Sequence, residues 1–112
     1  SLERSSQAQA LGISAALSFS PGRDRLRATL QGPVGEPAQL SLRLTHPTLA
    51  GLDQTLTLVR IAPGLYEGRL APPPGPVLLQ IETGEWRIGG PWHPREAGAM
   101  LEPQIPLTKG GP

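Results

Sequence analysis

The segment Leu40–Asp53, LSLRLTHPTLAGLD, followed by QTLTLV, most narrows what this chain can fold into. Leu40, Leu42 and Leu44 alternate with Ser41, Arg43 and Thr45, the period of a half-buried β-strand. His46-Pro47-Thr48 stops that strand, because Pro47 has no N–H to give a ladder and restricts the residue before it. A short loop reaches Asp53, and a second strand pattern begins at once.

The same alternation recurs over 13–19, 25–31, 38–45, 55–61, 65–70, 77–82 and 86–88. Between these runs stand turn signals such as Ser20-Pro21-Gly22, Ala62-Pro63-Gly64 and Thr83-Gly84. Fourteen glycines and fourteen prolines make up a quarter of the 112 residues, and they fall mostly between the apolar runs. About seven short strands so punctuated predict an all-β fold, an immunoglobulin-like antiparallel β-sandwich, with a small closed barrel as the alternative. Ala71–Pro76, APPPGP, is too stiff for a central strand and favours a crossover between two packed sheets. Leucine is the expected bulk of the core. Tyr66 is expected inside with its hydroxyl on backbone, and Trp86 inside as the large core residue. Trp92 either covers one end of the core or stands exposed as a contact.

Three segments are expected: a polar stem over 1–10, too short for a stable helix alone, the sandwich over 11–90, and an irregular Pro/Gly-rich tail over 91–112. The length suits one domain. The chain has no cysteine, which removes thiol catalysis, disulfides and thiolate metal sites. Ten basic and nine acidic residues leave a net charge of +1, without an electrostatic footprint for nucleic acid. No apolar run approaches the ~20 residues that span a bilayer. The chain starts at Ser1 rather than Met, so an upstream segment is expected.

Chemistry-bearing residues are sparse. His46 and Asp53 become neighbours if their loop folds back, with Thr48 nearby, but no nucleophile elbow accompanies them. The simpler reading has Asp53 accepting backbone N–H groups while His46 caps the strand end. Glu82 and Glu85 flank a turn and are expected in solvent. His46, His93 and Met100 form a candidate copper-ligand set, since imidazole and thioether both suit copper, provided the tail folds back. His46, Thr48, Asp53 and Trp92 are the candidate contact residues. Trp92 and Tyr66 as a carbohydrate or peptide platform is a further option.

Taken in order, several short motifs resemble the FixH family (also called CcoH), named for nitrogen fixation. They are Ala8-Gln9-Ala10-Leu11-Gly12, His46-Pro47-Thr48, Asp53-Gln54-Thr55-Leu56, Gly64-Leu65-Tyr66-Glu67-Gly68-Arg69-Leu70 and Trp86-Arg87-Ile88. They cover roughly residues 8–90. Gly75-Pro76-Val77 departs from the family's usual Gly-Xaa-Trp turn. The resemblance implies a non-enzymatic protein with an N-terminal transmembrane helix and a periplasmic domain. It further implies help in assembling the cbb-type haem–copper cytochrome oxidase, with oxidase subunits or a copper-transporting ATPase as partners. Residues 1–10 would then be the juxtamembrane stem.

Overall fold

The computed structural model describes residues 2–105. A short helix, α1 (Leu2–Leu11), precedes eight strands: β1 (Ser14–Phe19), β2 (Arg25–Gln31), β3 (Gln39–Thr45), β4 (Gln54–Ala62), β5 (Leu65–Arg69), β6 (Val77–Glu82), β7 (Arg87–Trp92) and β8 (Gly98–Leu101). The expected all-β fold is borne out. β2 and β3 bury every second residue, as their alternation requires.

The strands form one antiparallel sheet in the order β7-β6-β3-β4-β5-β2-β1-β8. The expected sandwich is therefore a single sheet folded round its core, close to the barrel alternative. Its end strands meet at one bridge, where Gly89 and Glu102 exchange both backbone hydrogen bonds. In an antiparallel strand the bonding direction alternates, so Pro91, two residues on, also faces this seam. It lacks the N–H that a second bridge needs, yet costs β7 no bond to β6. The sheet closes at Gly89 and opens at Pro91.

Two expected boundaries move. The sandwich is expected to end at residue 90, whereas β7 runs on to Trp92, and β8 follows within the expected tail. The physical reason is close approach. A Cβ on Gly89 would lie 2.9 Å from the Leu79 carbonyl oxygen, and one on Gly90 would strike that of Met100. Residues 106–112 of the expected tail lie outside the described residues.

The stem is a complete helix of ten residues. Gly12, at φ +70°, ends it in a Schellman motif: Ile13 N–H donates to the Ala8 carbonyl and Gly12 N–H to that of Gln9. Ser5 and Ala8 are buried, and Arg4 pairs with Glu82. Glu82 also holds Arg87 at 3.0 Å, so it is half-buried rather than in solvent, and it ties α1 to the sheet. No described helix is long and apolar enough to cross a membrane.

The core is leucine-rich, with Leu17, Leu26, Leu42, Leu44, Leu58, Leu79 and Leu101 each at most 4 % exposed. Phe19, Tyr66, Trp86 and Trp92 are all buried too.

Candidate functional site

Register places four connections at the end of the sheet opposite α1: β1–β2, β3–β4, β5–β6 and β7–β8. The β3–β4 connection holds the His-Pro-Thr motif. Asp53 Oδ1 accepts the His46 N–H at 2.8 Å, so the carboxylate closes the loop onto the strand end it follows. A single 3₁₀ turn, Ala50–Leu52, lies between them. This is the expected backbone role for Asp53. The His46 ring continues the inward stripe of Leu40, Leu42 and Leu44 and is 6 % exposed. Its Nε2 is buried without a hydrogen-bond partner among the described residues.

The β7–β8 connection is tightly organised. Trp92 Nε1 donates to the Glu96 carbonyl at 3.0 Å, and Glu96 N–H to that of His93 at 2.8 Å. His93 Nδ1 accepts the Arg95 N–H at 3.1 Å. Arg23, in the left-handed region at φ 59°, reaches across from the β1–β2 turn. Its guanidinium donates to the Pro94 carbonyl at 2.6 Å and the Ser20 carbonyl at 2.8 Å.

The other connections are linked as well. Leu70 N–H donates to the Asp24 carbonyl at 3.0 Å. Gln54 makes a reciprocal pair with Ala71, each bond 2.9 Å. These ties run from the β3–β4 loop through β5–β6 and β1–β2 to β7–β8. A rim fixed in this way loses little conformational entropy when something binds it.

The candidate residues do not converge on one point. His46 faces the core, whereas Met100 lies on the outer face of β8, 53 % exposed. His93 follows the end of β7 with Nδ1 already engaged. The fold therefore gives His46, His93 and Met100 no common face for copper. No group of three His, Asp or Glu side chains placed to hold a metal occurs among the described residues. Trp92 is 3 % and Tyr66 0 % exposed, which corrects the exposed-contact and platform readings. Tyr66 meets its expectation: it packs inside, and its hydroxyl donates to the Pro37 carbonyl at 2.5 Å.

Of the four candidate contact residues, Thr48 is exposed and Asp53 half-buried. Leu49 and Leu52, 51 % and 45 % exposed, are the apolar groups this loop offers outward. Sequence reasoning passed over them, although leucines inside a corner that an Asp closes are a usable signal. Arg23 carries no signal of its own in the sequence, because its role depends on a loop 71 residues away.

At the α1 end a second clamp holds the β2–β3 loop. Glu36, at φ 49°, accepts the Gly64 N–H and Arg60 Nε, each at 2.8 Å. Those two donors, Gly64 first, hold its carboxyl below the ordinary glutamate value. Burial, and then the charge of Glu36, push the Tyr66 hydroxyl above the usual tyrosine value.

A family model described as FixH matches residues 1–93 of the chain. No curated protein and no solved structure matches it.

Proposed function

The chain belongs to the FixH family, and from that premise we propose a non-enzymatic interaction domain that aids assembly or stability of a cbb-type haem–copper cytochrome oxidase. In this reading a helix upstream of α1 tethers it to the inner membrane, and the sheet lies in the periplasm. Its partners are oxidase subunits or the copper-transporting ATPase. The observation that carries the reading is the family match, which spans α1 and the strands through β7.

The arrangement of the ends supports it. An anchor before α1 would hold that end of the sheet towards the bilayer. The pinned rim, with Thr48, Leu49 and Leu52 exposed, would then face away from the membrane. A preorganised surface of this kind suits contact with another protein.

Two experiments test the reading. Affinity capture with the full-length protein from solubilised membranes should retain oxidase subunits, identified by haem staining and mass spectrometry. Oxidase activity and subunit levels should fall in a deletion strain and return on complementation; unchanged levels in that strain would overturn the proposal. The gene's upstream coding sequence should supply about 20 consecutive apolar residues.

A further inference from the structure

The outer face of β2 and β5 holds two like charges opposite one another. Arg25 pairs in register with Arg69 across the strands, and both are exposed. Like charges directly opposite in a sheet are destabilising. Two residues along, Arg27 faces Glu67 and the two form an ion pair at 3.0 Å. Among the described residues neither Arg25 nor Arg69 has such a partner.

Both arginines border one groove of about 460 Å³, which Glu67 also lines, and whose other wall is Thr57, Val59 and Ile61 on β4. Val59 and Ile61 are each 47 % exposed. β4 bulges between Arg60 and Ala62, a device that re-aims side chains at the end of a strand. The groove thus joins two arginines without an ion-pair partner to an apolar wall, and the carboxylate of Glu67 between them is already taken by Arg27.

We infer that this groove docks an acidic, extended peptide segment of a partner protein. One carboxylate bridges Arg25 and Arg69, and a neighbouring apolar side chain rests on Val59 and Ile61. Guanidinium groups suit this role because their planar forks match carboxylate geometry with directional hydrogen bonds. A lipid surface fits less well. Anionic membranes are held by clusters of about four to eight basic residues, and this face offers two uncompensated ones on a chain of net charge +1. The inference rests on the reading of the chain as an interaction domain and assigns that domain a surface.

The test is a titration of isotope-labelled protein, followed by amide chemical shifts, with a short blocked peptide alternating leucine and glutamate at low ionic strength. Saturable shifts should cluster at residues 25–27, 57–61 and 67–69. The leucine–glutamine counterpart should produce none. Arg69→Gln, and separately Arg25→Gln, should weaken binding by about tenfold or more, the scale of one lost charged contact. Both variants should keep the parent's melting temperature or exceed it, because the repulsion is relieved. A marked fall in melting temperature in both variants, or equal shifts from the glutamine peptide, overturns the inference. Co-sedimentation with vesicles of pure phosphatidylglycerol, lost in the same variants, reassigns the groove to lipid and overturns it too. A flat titration removes the groove without touching the oxidase reading, while normal oxidase in a deletion strain removes that reading without touching the titration.

Discussion

Phe19 and Trp92 stack face to face, their ring centroids 3.7 Å apart and their planes 7° from parallel. Phe19 closes β1 and Trp92 closes β7, while β8 lies beyond β1 at the far end of the sheet order. The stack therefore spans the seam from inside, at the end where Pro91 leaves it without a backbone bridge. Trp92→Ala removes the stack and the indole bond to Glu96 together. It should lower the unfolding free energy by about 3–5 kcal/mol, the range for large aromatic truncations in a core. Trp92→Phe, which keeps a ring, should cost clearly less. Urea unfolding followed by circular dichroism measures both, and equal losses would show that the stack carries none of the effect.

Gly90 makes the other half of the seam possible. A Cβ there meets the backbone oxygen of Met100, and backbone cannot step aside as a flexible side chain can. Gly90→Ala should destabilise the fold by about 1–3 kcal/mol, as overpacking does. It should also speed hydrogen exchange at the Glu102 amide, which donates to Gly89 across the bridge. Gly84 has open space around its Cβ position, so Gly84→Ala should change stability by no more than about 0.5 kcal/mol.

The same seam shows where reading the chain in one dimension succeeds and stops. β2 and β3 are legible because each has one face buried, and burial imposes a period of two on their leucines. β7 is not, because Gly89 and Gly90 serve the approach of Leu79 and Met100, partners 10 residues away in each case. α1 is not, because ten residues become helical by docking Ser5 and Ala8 and by the Arg4–Glu82 pair, none of which is local. The Asp53 bond to His46 was foreseeable from the chemistry of a short polar side chain in a loop. The bond from Arg23 to Pro94 was not, since it joins two connections that meet only after the sheet has folded.

The clamp at the α1 end makes stability depend on pH. Glu36 has its carboxyl lowered from the ordinary 4.5, first by the Gly64 N–H and then by Arg60. A lowered folded-state value means the ionised form is favoured by folding, so the contribution is present above the unfolded value. It is lost as pH falls from there through the folded value. Glu36→Gln should therefore be less stable than the parent at neutral pH, and the gap should narrow steadily as pH drops below about 4.5. Thermal unfolding of both proteins across that range checks the sign. A gap independent of pH would show that the carboxylate charge plays no part.

His46 and Asp53 separate what the backbone of this corner does from what the imidazole does. Asp53 holds the His46 N–H, and losing that acceptor leaves a donor at the rim of the core. Asp53→Ala should cost about 1–3 kcal/mol, the penalty for a stranded buried donor, and Asp53→Asn less because an oxygen remains. The ring is a different matter. Its Nε2 has no partner among the described residues, and the residues before it on the same face are Leu40, Leu42 and Leu44. His46→Leu extends that stripe, removes a buried unsatisfied nitrogen and keeps the backbone bond to Asp53. Replacing a polar group that makes no hydrogen bond by an apolar one of similar size is neutral or stabilising. The variant should accordingly unfold at the same urea concentration as the parent or a higher one. A drop in stability close to that of Asp53→Ala would mean that the imidazole, and not only the backbone it sits on, holds the corner together.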